Sequence, residues 1–190
     1  MNAPATLWTV GHSTLSIDAF IALLKHYQLQ GVVDVRRHPG SRRLPQFGTD
    51  TLQTHLAEAG LDYLWVEELG GRRRAAKDSP NSAWRNASFR GYADYLEDPS
   101  FEVGLQRLLT FASERRCTLM CAEVLWWRCH RALIADVLKL RGVEVLHIRD
   151  ESHVDSHPFS SPARLLDGRL SYAADAGEPL GGPPRSHRGA

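Results

Sequence analysis

The sequence predicts an α/β fold: one three-layer domain with a mainly parallel sheet flanked by helices, and a small C-terminal hairpin extension. Two observations predict it. Short runs of β-type apolar residues alternate with segments whose apolar residues recur at helical spacing. The connections between those runs hold a helix each, which suits parallel neighbours rather than hairpins.

Leu7–Val10 is the first strand and ends at Gly11-His12-Ser13. Ser16 is a helix cap, because Phe20, Leu23, Leu24 and Tyr27 follow at positions i, i+3, i+4 and i+7. Gly31 breaks that pattern, and Val32-Val33-Asp34-Val35 is the second strand. Arg36–Gly48, with Arg37, His38, Pro39, Gly40, Arg42, Arg43 and Pro45, is a basic loop. Thr49 or Asp50 is expected to cap a short helix carrying Leu52 and Leu56, and Gly60 ends it. Leu61–Val66 is the third strand. Gly70-Gly71-Arg72-Arg73-Arg74 then opens a long polar stretch to about Ala87, a length that favours function or mobility. Phe89–Leu96 and the run Phe101, Leu105, Leu108, Leu109 and Ala112 mark two helices. Cys117–Cys121 is an apolar strand, Leu133, Ile134, Val137 and Leu138 mark a helix, and Val143–Ile148 is a further strand. Asp167-Gly168 between two semi-apolar runs predicts a hairpin in 163–173. The domain is expected over 1–173, with a disordered tail over 174–190, rich in Gly, Pro and Arg.

With 190 residues the chain can bury one sizeable core. Its 43% hydrophobic and 24% charged residues are ordinary globular proportions. A net charge of +1 supplies no overall field toward nucleic acid or membrane. Three cysteines clustered at 117, 121 and 129 are not a disulfide framework. The start MNAPATLWTVGHS lacks a basic region followed by an apolar core, and no apolar run approaches the roughly 20 residues of a membrane span. A cytoplasmic location without membrane contact is therefore expected.

In an open parallel sheet the strands finish at one edge, and ligands bind there. The residues at and after the strand ends are Gly11, His12 and Ser13; Arg36, Arg37 and His38; Glu67, Glu68, Gly70 and Gly71; Cys121 and Glu123; and His147 and Arg149. Cys121–Arg131 is the densest of these segments and runs into a helix N-terminus, where free N–H groups favour an anion and lower a thiol pKa. Cys121, Glu123 and His12 are the candidate catalytic residues, with Glu123 as acid or base and His12 for proton transfer. Ser13, Arg36, Cys129, His130 and Arg131 are the candidate substrate-binding residues, with Arg131 as an anion clamp.

The order GHS, DVRRHPGS, ELGG, FRGYADYL, LMCAE…CHR and VLHI resembles the family called domain of unknown function 488, from about Thr6 to Tyr172. The resemblance implies an α/β fold and a prominent CAE…CHR segment, here Cys121-Ala122-Glu123 and Cys129-His130-Arg131; it implies no reaction. Where many relatives have a proline-containing loop between these motifs, this chain has Val124-Leu125-Trp126-Trp127.

Each candidate has a plainer reading. Buried cysteine is commonly an inert small hydrophobe, and Cys117 is assigned to the core. Gly11 to Ser13 can be a helix-entry turn. Asp34 can pair structurally with Arg36, and His147 is assigned as a satisfied core histidine. One of Trp126 and Trp127 is assigned to the core and the other to a pocket wall. A metal site from Cys121, Cys129 and His130 with His12 lacks the paired C-x-x-C spacing of structural zinc, so no metal ligand is assigned. Three functions are carried forward. The first is an enzyme acting on an anionic, nucleotide-like or nucleic-acid-derived substrate. The second is a non-enzymatic nucleic-acid-binding module, for example in DNA repair, using the arginine loops. The third is a thiol or metal sensor. Nothing in the sequence names a cofactor or an oligomeric state.

Overall fold

A computed structural model describes residues 4–40, 43–175 and 177–180. Arg42 and the tail over 181–190, both assigned above, lie outside the described residues.

The chain builds a six-stranded sheet in the order β3-β2-β4-β1-β5-β6. β1 (Thr6–Gly11), β2 (Gly31–Asp34), β3 (Asp62–Trp65), β4 (Cys117–Cys121) and β5 (Glu144–Ile148) are parallel throughout. β6 (Val154–Ser156) adds an antiparallel edge against β5, which the sequence reading missed. Its residues, Val154-Asp155-Ser156, carry too little apolar alternation to signal a strand; the free edge of β5 recruits them.

Side chains alternate across the pleat, so two separate cores form. Val10, Val32 and Met120 face α1 (Ile17–His26) and α2 (Thr49–Glu58), packing with Phe20, Leu24, Phe47, Leu52 and Leu56. Leu7, Val33, Leu119 and Val145 face the other way, against α4 (Pro99–Ala112) and α5 (Arg131–Leu140) through Leu105, Leu108, Leu133, Ile134 and Leu138. α3 (Ala87–Tyr95) joins this second layer through Tyr92 and Ala93. This is the three-layer arrangement expected.

The caps are local. Ser16 Oγ accepts from the Ala19 N–H at 3.1 Å, as its position predicts. α2 differs: Gly48 is its cap residue and no side chain caps it, because Thr49 Oγ1 instead bonds the Pro39 carbonyl at 3.3 Å. The predicted hairpin forms from β7 (Arg164–Leu166) and β8 (Arg169–Ser171), with φ of 49° at Asp167 and 75° at Gly168, as a two-residue primed turn requires. β9 (Glu178–Pro179) pairs with β7 beyond residue 173, inside the segment assigned to the tail. No helix among the described residues is long and apolar enough to cross a membrane.

Gly11 fixes how the edge is built. It pairs with Cys121 at the last register position of β1 and β4. The His12 and Ser13 N–H groups then donate to the Cys121 and Ala122 carbonyls at 3.0 and 2.9 Å, so the two chains stay together past the sheet. A Cβ at Gly11 would lie 2.0 Å from the Glu123 carbonyl oxygen. Gly11→Ala is expected to destabilise the fold by about 1–3 kcal/mol through overpacking, read as a lowered midpoint in urea unfolding.

Candidate active site

The carboxyl ends of β1, β2 and β4 and the start of α5 converge on one polar cluster. β4 ends in Cys121, and the chain makes a short turn and a single 3-10 turn at Trp126–Arg128 before Cys129, His130 and Arg131 open α5. The Cys121 and Cys129 sulfurs and one His130 ring nitrogen lie within 4.8 Å of one another.

Arg131 is the anchor of the cluster. Its guanidinium is 1% exposed. Nε donates to Cys129 Sγ at 3.4 Å, Nη1 to Thr9 Oγ1 at 3.3 Å, and Nη2 to the Glu123 and Val124 carbonyls. Among the described residues no carboxylate forms an ion pair with it. A buried cation without a counter-charge is very costly, and the Cys129 sulfur is the group in contact that can carry one. The position of Cys129 beside the N-terminus of α5 favours the same anion.

The electrostatics of the two thiols divide accordingly. Burial by itself would raise the Cys129 pKa. The hydrogen bond from Cys121, the neighbouring His130 and Arg131, and the contact with the His130 ring outweigh it and hold the thiol well below its ordinary value. Cys121 moves the opposite way, because donating to Cys129 and being buried both keep its proton on. His130 Nε2 lies 3.0 Å from the Val35 carbonyl, so that nitrogen carries hydrogen, and Nδ1 faces Cys129 Sγ at 3.6 Å. Gly71 permits this placement, since a Cβ there would meet His130 Nδ1 at 2.8 Å. Cys117, by contrast, is core, and burial pushes its thiol up to about 12.

Cys121, Cys129 and His130 are also the described residues whose donor atoms come close enough for a soft cation. The Arg131 Nε–H already occupies the Cys129 sulfur, and Arg36 lies near Cys121. A cation there would meet the buried Arg131 charge, so the cluster fits a thiol–thiolate pair better than a metal centre.

The remaining candidates separate. Arg36 is held by Asp34 in a two-pronged ion pair, Nε to Oδ1 at 2.8 Å and Nη2 to Oδ2 at 2.5 Å, and Tyr63 OH donates to the same carboxylate at 2.8 Å. His12 is buried against Phe47, ring centroids 3.9 Å apart; its Nδ1 meets the Ser13 carbonyl at 3.0 Å and its Nε2 faces Arg36 Nη1 at 3.3 Å. Burial and then the Arg36 charge lower its pKa to about 4, so its ring is neutral at pH 7 and holds Arg36 rather than standing free as a base. Ser13 takes a positive φ of 45° in the turn, and its carbonyl serves His12. Glu123 points to solvent, with its carboxylate accepting from the Leu125 N–H at 3.1 Å; only its backbone carbonyl reaches the cluster. Arg131, assigned above as an anion clamp, is sealed inside with every arm engaged within the chain. Trp126 stacks on His147 at 4.3 Å, and Trp127 is exposed.

The free positive charge lies next door. A cleft of about 640 Å³ is lined by Arg37, Arg72, Arg73, Arg74, Gly91, Asp94, Tyr95 and Asp98. Asp94 is occupied by the Ala76 N–H, Ser79 and Asn81, and Asp98 caps α4. Arg73 stacks over Tyr95 and bonds the Gly70 and Glu68 carbonyls. Arg37 ties to the Arg72 carbonyl at 3.1 Å, leaving the Arg72 and Arg74 guanidiniums exposed. The cleft adjoins the thiols, because Arg37 follows Arg36 and Arg72 follows Gly71, which abuts His130.

Sequence reasoning missed Thr9, Tyr63, Asp136, His157 and Tyr172. Asp136 alone carried a signal: a carboxylate inside the apolar stripe of Leu133, Ile134, Val137 and Leu138.

A family model described as "Domain of unknown function DUF488" matches residues 16–138, and the chain belongs to that family. Neither the curated proteins nor the solved structures include a significant match to the chain.

The depressed His12 pKa has a consequence for stability. Its folded pKa of about 4 lies below the ordinary 6.5, so the unfolded chain binds the extra proton in that window. The stabilisation is complete above about pH 6.5 and is lost as the pH falls toward 4, up to about 3 kcal/mol. Urea unfolding between pH 4 and 7 should show this slope, and His12→Gln should flatten it.

Proposed function

We propose that this protein is an enzyme acting on an anionic substrate of the nucleotide or nucleic-acid-derived kind, with Cys129 as its nucleophile. The observation that supports this most is the buried Arg131 guanidinium, whose available counter-charge is the Cys129 sulfur. A thiolate held by a guanidinium, an imidazole and a neighbouring thiol is favoured over the thiol, and the thiolate is the form that attacks. Cys121 supplies the proton donor beside it, and the Arg36 guanidinium, fixed by Asp34 and His12, lies near Cys121.

The basic cleft supports the substrate class. Arg72 and Arg74 are exposed guanidiniums on the stretch whose Gly71 abuts His130, suited to phosphoryl oxygens. Glu123 and Arg131 do not take the roles first considered for them: the carboxylate faces away, and the guanidinium serves the thiolate.

Site-resolved alkylation with iodoacetamide, followed by a turnover screen of phosphoesters and nucleotides, tests the reading. Cys129 is expected to react below about pH 7, well under the range of an ordinary thiol. Cys129→Ala should lower turnover of any substrate found by at least about 10³-fold. The double variant Arg72→Ala with Arg74→Ala should raise KM roughly tenfold with kcat little changed. Turnover that survives Cys129→Ala ends the nucleophile assignment. Salt-sensitive nucleic-acid binding that needs Arg72 and no cysteine, without turnover, would favour the binding-module reading instead.

A further inference from the structure

Five polar side chains behind the thiols are used by nothing described so far. Thr9, Asp136, His147 and His157 are each at most 1% exposed, as is Tyr172. They form one unbroken line. Arg131 Nη1 reaches Thr9 Oγ1 at 3.3 Å; Thr9 Oγ1 meets His147 Nδ1 at 2.7 Å; His147 Nε2 meets His157 Nδ1 at 2.9 Å; and His157 Nε2 meets Asp136 Oδ1 at 3.0 Å. The Ser160 N–H donates to Asp136 Oδ1 and Tyr172 OH to Oδ2, both at 2.8 Å.

The end groups dictate the direction of every bond. Arg131 can only donate and an ionised Asp136 can only accept. With both imidazoles neutral, His157 must donate from Nε2 to Asp136 and accept at Nδ1. His147 therefore donates from Nε2 and accepts at Nδ1, and the Thr9 hydroxyl donates to His147 while accepting from Arg131. Burial above all, and the Arg131 charge with it, keep His147 neutral, its pKa lowered to about 2. Trp126 stacks on the His147 ring at an interplanar angle of 7° and covers its face. The buried Arg131 guanidinium and the buried Asp136 carboxylate are thus joined through two rings and a hydroxyl. Such polarised chains strengthen bond by bond.

We propose that Asp136, His157, His147 and Thr9 form a positioning relay that fixes the Arg131 guanidinium against the Cys129 sulfur. The relay rests on the thiol-centre reading and deepens it by naming what regulates that centre from behind. None of the four touches the sulfur, so they are positioning residues. Charge at Cys129 answers to the groups that face it: Cys121 from β4, His130 and Arg131 from α5, Tyr92 from α3, and Arg36 through Cys121. The relay acts through Arg131 alone.

The test is the pH dependence of Cys129 alkylation by iodoacetamide, read by peptide mass on the full chain. Thr9→Val keeps the side-chain shape and removes the hydroxyl link. It should move the midpoint up by about one unit and slow alkylation roughly tenfold at pH values below the wild-type midpoint. Thr9→Ser should restore both, and Asp136→Asn should act in the same direction as Thr9→Val. A folded Thr9→Val protein with the wild-type midpoint overturns the relay. A measurement on the wild-type protein guards against variants that fail to fold. The ring ¹⁵N shifts of His147 and His157 should move when Cys129 is alkylated, and unchanged shifts also overturn it. A wild-type Cys129 that behaves as an ordinary thiol sinks the thiol-centre reading itself. A low-pH thiol indifferent to Thr9 and Asp136 sinks only the relay.

Discussion

The arrangement depends on one buried charge. Arg131 enters the protein interior at the first turn of α5, where a guanidinium would ordinarily require a carboxylate, and meets a cysteine sulfur, a hydroxyl and two backbone carbonyls. Those contacts tie three elements: the strand end and turn of β4, the middle of β1 and the helix that carries the arginine itself. Removing the charge would leave the Glu123 carbonyl without its donor in a dry interior, and removing the sulfur would leave the charge uncompensated. The contact that offsets the Arg131 charge is therefore the contact that favours the Cys129 thiolate.

The sheet makes this economical. Because β1 lies between β4 and β5, Thr9 on its inner face has Arg131 on one side and His147 on the other. Because β2 lies beside β4, the Asp34–Arg36 pair arrives next to Cys121. Glycines allow the close approach: Gly11 lets the turn after β4 lie against β1, and Gly71 lets the His130 ring sit between the polar loop and β2. The long polar stretch after β3 thereby serves two purposes. Its first residues wall the thiol centre, and its arginines line the neighbouring cleft.

Much of the fold was legible because it follows local periodicity. Phe20, Leu23 and Leu24 mark α1, Leu133, Ile134 and Leu138 mark α5, and Asp167-Gly168 marks a hairpin turn, each through spacing within a few residues. Where a choice depended on distant groups it was not legible. Thr49 is an apt cap by type, but the Pro39 carbonyl ten residues earlier takes its hydroxyl. β6 is a strand because β5 offers it an open edge, not because of its own composition.

The candidate site divides along the same line. The sequence by itself determined that Cys121, Cys129, His130, Arg131, His12 and Arg36 would gather at the carboxyl edge, since parallel strands deliver their following residues to one side. Only the tertiary structure decided their roles. Whether a guanidinium faces solvent or a sulfur, whether an imidazole lone pair is free or taken, and which of two thiols the surroundings favour as thiolate depend on how the chain packs, and some of the partners lie more than a hundred residues apart, as Thr9 does from Arg131 and from His147. Desolvation and hydrogen-bond partners set charge states, and both are properties of the packed interior that no local pattern of residues records.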